Sequence, residues 1–275
     1  MTQHAPALLY ALFLWWFSTG AVLWLCRREA ARERAWLWAG LATLGGLAML
    51  AASASRPSAG GAYLAFTAAV LTWGGVEITF LSGLVTGPRR QACPAGLRGW
   101  PRVVAAVEAI LYHELALLAA GVASAAATWG GANQVGLQTF LLLWLLRLSA
   151  KLNLFLGVPV TNEALLPERL RFLASYFTLR PINPLFPVSV TAATVVLALM
   201  AARALAPETN AFEAAGSMLL ATLLGLAVIE HWFMLLPLPS ASLWSWSLKT
   251  PAAVSAPLLS IVAPDQDPSL GRRHP

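Results

Sequence analysis

A bundle of seven transmembrane helices is the fold this sequence predicts, and three observations predict it. Apolar residues make up 58% of the 275 and charged ones only 11%, whereas a soluble domain carries about a quarter charged residues. The apolar residues gather in seven long runs, and roughly 20 residues is the length a helix needs to cross ~30 Å of hydrocarbon. Lysines and arginines, finally, collect in alternate loops.

The first run, about 6–25, lacks a small-residue cleavage pattern and carries Trp15 and Trp16 at its centre. It therefore reads as a retained helix rather than a signal peptide. The second, about 36–54, holds Gly40 to Gly46, small residues of the kind that let helices approach closely. The third (about 62–85) carries Glu77; the fourth (about 103–128) carries Glu108, His113 and Glu114. Only Trp129 to Gln134 separate it from the fifth (about 135–156), so those two helices should pair tightly. That fifth run contains Arg147, Lys151 and Asn153. The sixth (about 187–206) carries no candidate site residue; the seventh (about 211–236) ends with Glu230 and His231.

The longest loop, about 157–186, contains a second kind of pattern. Pro167 opens a stretch in which Leu166, Leu170, Leu173 and Phe177 recur at spacings of three and four, with Glu168, Arg169 and Arg171 off that face. This predicts a short helix near 167–179, lying on the membrane surface or capping the bundle. Residues 1–240 thus form the membrane domain and 241–275 a tail. Trp244 and Trp246 suit the membrane interface. From Thr250 onward, prolines, serines and scattered charges predict little fixed structure.

Loop charges set the expected orientation. Arg27, Arg28, Arg32, Arg34, Arg89, Arg90, Arg98, Arg102, Arg169, Arg171, Arg180, Lys249, Arg272 and Arg273 fall on one side, against Arg56 and Arg203 on the other. Positive residues stay cytoplasmic, which puts the N-terminus outside and the C-terminus inside. The same rule accounts for the net charge of +6 without nucleic acid as a partner. Cys26 and Cys93 then lie at cytoplasmic ends, where thiols stay reduced, so no disulfide is expected. Two isolated cysteines also make a poor zinc site.

Orientation turns the charges inside the spans into a depth map. At a rise of about 1.5 Å per residue, His113 lies ~15 Å from the inner end of its span, Arg147 ~14 Å, Glu77 ~12 Å, Glu230 ~9 Å, and Glu108 and Lys151 ~8 Å. Arg147 and Lys151 are four apart and share a helix face. Glu77, Glu108, Glu114 and Glu230 are the carboxylates able to approach them. Neighbours on a helix diverge by ~100°, so His113 and Glu114 cannot aim at one spot.

Three readings compete for this layer. One is a structural network of ion pairs; another is a proton or ion path. The third is a metal or tetrapyrrole site, with His113 and His231 as ligand candidates and Glu114 and Glu230 orienting them. Ala109 and Ala227, each four residues before a histidine, would leave room for a flat ring. No Glu-x-x-His pair and no His-Glu-x-x-His supports iron or zinc. A transporter is disfavoured because no internal repeat is evident and the helix count is odd.

Several segments together resemble a known family. They are Leu81-Ser82-Gly83-Leu84-Val85-Thr86-Gly87-Pro88-Arg89-Arg90, His113-Glu114, the run from Arg147 to Pro159, Asn183-Pro184-Leu185-Phe186-Pro187, and Glu230-His231-Trp232-Phe233. From about Ala7 to Trp246 the chain resembles the photosynthetic complex assembly protein 2 family (PuhE-like) of purple bacteria. Its most specific part is Ser149-Ala150-Lys151-Leu152-Asn153. The chain departs from the family pattern at Val76, where a histidine precedes the glutamate, and this weakens any scheme of three histidine ligands. The resemblance implies a multi-pass protein of the bacterial inner (cytoplasmic or intracytoplasmic) membrane that assists assembly of the reaction centre or light-harvesting complex. Its implied partners are reaction-centre or light-harvesting subunits and other assembly factors, with bacteriochlorophyll or a tetrapyrrole precursor as the pigment it would present. The alternative is a membrane enzyme of tetrapyrrole or carotenoid metabolism using the same polar layer.

Overall fold

A computed structural model describes residues 4–27, 33–161 and 163–248. The tail from Thr250, with Arg28, Arg32, Lys249, Arg272 and Arg273, lies outside them. Among the described residues the protein is all-helical, with one isolated β-bridge between Val158 and Leu179. Seven helices are long and apolar enough to cross a membrane. They are α1 (Ala5–Arg27), α2 (Ala35–Ala54), α3 (Ala59–Leu81), α4 (Gly99–Ala127), α5 (Val135–Leu156), α6 (Leu185–Leu205) and α7 (Ala211–Phe233).

Local chemistry explains the helix ends. Ser58 Oγ accepts from the Gly61 amide at the start of α3, and Asn210 accepts from the Glu213 amide at the start of α7, satisfying donors with no partner inside the helix. α3 stops at Leu81, short of the run's apolar end, because the chain turns left-handed at Gly83 (φ +73°). A Cβ there would also lie 2.9 Å from the Arg169 side chain. α4 starts early, at Gly99, with Pro101 in its first turn, where proline's missing N–H costs nothing. α7 ends before Pro237.

α3 is the central helix, touching α1, α2, α4, α5 and α7. Two glycines let α2 lie directly against it. A Cβ on Gly46 would sit 2.7 Å from the Ala68 carbonyl oxygen, and one on Gly75 would sit 2.7 Å from that of Ala39. Gly40 and Gly45 meet nothing within 4 Å, so only Gly46 of that stretch serves the seam. Phe66, Leu50, Leu117, Phe140 and Leu219 fill the centre and are wholly buried.

At the end away from most arginines, Asn133 is fully buried. Its Nδ2 donates to the carbonyls of Ser53 (3.2 Å), Arg56 (3.3 Å) and Gly61 (2.9 Å), while its Oδ1 accepts from the Val135 amide. One amide thus joins the turn between α2 and α3 to the start of α5. At the arginine-rich end, Glu168–Tyr176 forms a 3-10 segment rather than an α-helix. Its buried residues Leu170, Leu173 and Tyr176 recur every three positions, the period of that helix. They pack with Ala105, Ala109 and Phe80, so the segment caps the bundle. Arg102 fastens it, donating to the Tyr176 carbonyl and to Thr178 Oγ1, each at 2.8 Å.

Trp244 and Trp246 fold back on α1. Trp244 is buried, donates to the Trp16 carbonyl at 3.1 Å, and meets Trp15 edge-on at 5.3 Å. Trp246 stacks near Phe17 and covers Gly20. Indole N–H groups that a bilayer interface could have solvated are thus partly satisfied within the protein.

Candidate functional site

Charged and polar side chains of α3, α4, α5 and α7 form two clusters. The first centres on Glu77 of α3, which is 6% exposed. Its Oε1 lies 3.8 Å from His113 Nε2 on α4, and its Oε2 lies 3.9 Å from Arg147 Nη2 on α5. These are charge contacts, too long for hydrogen bonds. The Phe80 ring stacks on the His113 imidazole at 4.1 Å, inclined by 24°. Neither ring nitrogen of His113, nor Glu77 Oε1, nor Thr86 Oγ1, has a hydrogen-bond partner among the described residues, although all are buried. Such groups are costly to leave unpaired.

Thr86 arrives by an unusual route. After α3 the chain doubles back along α4, where the His113 amide donates to the Thr86 carbonyl at 2.9 Å. Gly87 makes this possible: a Cβ there would overlap the Glu108 carbonyl and lie 2.7 Å from the Ala109 carbonyl carbon. Ala109, read from the sequence as room for a flat ring, is instead covered by this loop and by Leu170 and Tyr176. Irregular backbone at such a position is tolerated where protein surrounds it.

Glu114 points away from His113, as the 100° divergence requires. Its Oε1 accepts from Lys151 Nζ at 2.5 Å, and its Oε2 from Trp144 Nε1 at 3.3 Å, tying α4 to α5. Lys151 Nζ also lies 5.8 Å from the Phe80 ring centre, linking this pair to the first cluster. Glu108 joins neither; it pairs with Arg89 in the loop at 2.9 Å.

The second cluster gathers around His231 of α7. Its Nδ1 lies 2.8 Å from the Ala227 carbonyl, and its Nε2 lies 2.9 Å from Ser149 Oγ on α5. The carbonyl can only accept, so Nδ1 carries the proton and Nε2 accepts from the serine. Asn153 is fully buried and donates to the Ser149 carbonyl and Ser189 Oγ. Asn183 donates to Asn153 Oδ1 (3.1 Å) and to the Gly157 carbonyl (2.8 Å), while its own Oδ1 accepts from the Leu185 and Phe186 amides. The Asn-Pro-Leu-Phe-Pro motif is therefore a helix cap clipped to the end of α5. Asn183→Ala should lose both functions and destabilise the protein by about 2 kcal/mol. Thermal unfolding in detergent, compared with an exposed substitution such as Leu199→Ala, measures it.

His113 and His231 thus serve different helix contacts and do not open onto one cavity. His113 is wholly enclosed, with Phe80 on its face, and both nitrogens of His231 are engaged. Glu230 orients neither histidine; it lies half-buried beside a groove of α1. Among the described residues no three His, Cys, Asp or Glu side chains converge as a metal site. Sequence reasoning passed over Ser149, Ser189 and Asn133, whose uncharged side chains are easily lost among apolar neighbours. For the two serines the available signal was a hydroxyl between apolar neighbours, Leu148 and Ala150 or Val188 and Val190.

Fold and site together define a multi-pass helical membrane protein whose buried polar side chains tie its helices together. Residues 1–255 match the family described as "Protein of unknown function (DUF3623)", and the chain belongs to it. It is similar to a Rhodobacter capsulatus protein described as an "Uncharacterized 30.4 kDa protein in puhA 5'region". The two are 44% identical over 245 residues, covering 87% of this chain and 89% of that protein. No solved structure matches.

Proposed function

We propose that this chain is an assembly factor for the photosynthetic reaction centre or its light-harvesting complex, embedded in the bacterial inner membrane with its arginine-rich end cytoplasmic. The observation that carries the reading is the near full-length similarity to a protein from the puhA region, whose gene context suggests a photosynthesis-related role. The resemblance of Ser149 to Asn153 and the Glu230-His231 segment to the assembly protein family points the same way.

The polar groups support a scaffold more than a catalyst. Lys151, Glu114, His231, Asn153 and Asn183 are all engaged in contacts between helices, the behaviour of polar glue in lipid. In this reading the protein holds a reaction-centre subunit, or presents pigment, against the outer surface of a rigid bundle. Deleting the gene should lower assembled complexes, seen as lost near-infrared absorbance of membranes, while pigment intermediates stay at normal levels by chromatography. Accumulation of a biosynthetic intermediate would instead favour the enzyme of tetrapyrrole or carotenoid metabolism. For that alternative, Glu77 and His113, with their unpartnered atoms, are the residues to test.

A further inference from the structure

Glu230 stands apart from the other acidic residues of the helices. No described side chain forms a hydrogen bond or ion pair with it. The Arg147 guanidinium is the cation whose field reaches it, but that group lies at Glu77. Glu230 lines instead a groove of about 520 Å³ between α1 and α7. Phe13, Trp15 and Trp16 form one wall, Leu226 stands beside Glu230 on the other, and Leu243 closes one end. The groove is built rather than incidental. Trp16 donates to the Leu243 carbonyl at 2.8 Å and Trp244 donates back to the Trp16 carbonyl at 3.1 Å, fixing the closing segment to α1.

A carboxyl group facing hydrocarbon is costly and persists where it meets a partner. The rest of the groove is apolar and aromatic, with Phe13 57% and Trp16 36% exposed. Its volume lies within the roughly 300–1,000 Å³ typical of small-molecule sites. Its walls are bulky, whereas a transmembrane helix docks where small residues let backbones approach. We propose that the α1–α7 groove binds a membrane-soluble amphiphile, an apolar chain or ring ending in a hydroxyl or amine. Aromatic packing along α1 holds its body and a hydrogen bond to Glu230 holds its head. This site is separate from the polar layer and does not rest on the assembly role.

The test uses the full chain in nanodiscs and three photoactivatable probes of equal chain length: a diazirine-bearing alcohol, the corresponding amine, and the headless alkane. Mapped by mass spectrometry, the alcohol and amine should label the segments around 9–16 and 226–243 about 5-fold more than the alkane does, the ratio expected of one net hydrogen bond of ~1 kcal/mol. Glu230→Leu should equalise the three probes with the thermal midpoint unchanged, because no partner loses a contact. Leu226→Trp, which fills the groove, should lower labelling there by all three. The proposal is overturned if the groove is labelled no more than the outer face of α6. A head-group preference that survives Glu230→Leu, or a cross-linked polypeptide occupying the groove, overturns it as well.

Discussion

Replacing Glu114 with leucine should destabilise the protein by about 2–4 kcal/mol, the largest effect expected of any charge substitution here. The carboxylate takes Lys151 Nζ at 2.5 Å and the Trp144 indole at 3.3 Å. Its loss strands an ammonium on α5 beside another cation, Arg147, one turn away. Removing one member of a buried pair leaves the other uncompensated, which costs about 3–5 kcal/mol in a fully buried site. Both side chains retain about a fifth of their exposure, so the range is set lower. Lys151→Met alone should cost less, because Glu114 keeps its hydrogen bond from the Trp144 indole. The double variant Glu114→Leu/Lys151→Met should return to within ~1 kcal/mol of the parent. Unfolding by denaturing detergent across all four proteins gives the coupling. If the double variant is as unstable as Glu114→Leu, the pair does not hold α4 to α5. A restored double variant also separates structure from chemistry. A scaffold should still support complex assembly in a deletion strain, whereas a site needing the charges should not.

Helix number and approximate extent were legible because lipid leaves the backbone few choices. Unpaired N–H and C=O groups are intolerable there, so long apolar runs become helices whatever else they contain. The ends were less legible, since they depend on single residues such as Gly83 and Pro101. Positions along neighbouring helices agree in part with the fold: Glu77, His113 and Arg147 meet, and so do Glu114 and Lys151. Pairing was not. Glu108 shares a helix with Glu114 but binds Arg89, because the loop after α3 doubles back, and nothing in its local pattern foretells that path. Glu230 and His231 are adjacent yet face different surroundings, a groove and a hydroxyl, since one residue of helix is a rotation of about 100°.

The two histidines differ in ways their local sequence does not encode. In the sequence both were polar residues in apolar surroundings and looked equivalent. In the fold one is fully hydrogen-bonded, and the other has neither nitrogen satisfied among the described residues. That difference rests on Ser149 and Ala227 on one side and Phe80 and Glu77 on the other, and three of these four lie outside the histidine's own helix. What surrounds a buried side chain in a helical membrane protein is therefore set by helix order and rotation, which local spacing does not encode.

Helix order depends in turn on the α2–α3 seam, and Gly46→Leu should test it severely, lowering stability by about 3 kcal/mol or more. Overpacking a core costs about 1–3 kcal/mol where neighbouring side chains can move. Here the obstacle is the Ala68 carbonyl, 2.7 Å from the new Cβ, and backbone in the middle of a helix has no rotamer to change. α3 must shift or the helices must part. Either response displaces Glu77 relative to His113 and Arg147, because one rigid helix carries both contacts about two and a half turns apart. Even Gly46→Ala should be destabilising, since the clash begins at Cβ. Gly45→Ala is the matched control; its Cβ meets nothing within 4 Å, and the gain in helix propensity should make it neutral or stabilising by up to ~1 kcal/mol. Thermal midpoints of the three variants decide the matter. If Gly46→Ala and Gly45→Ala unfold alike, α2 and α3 do not touch through Gly46, and Gly75 would have to carry the seam alone.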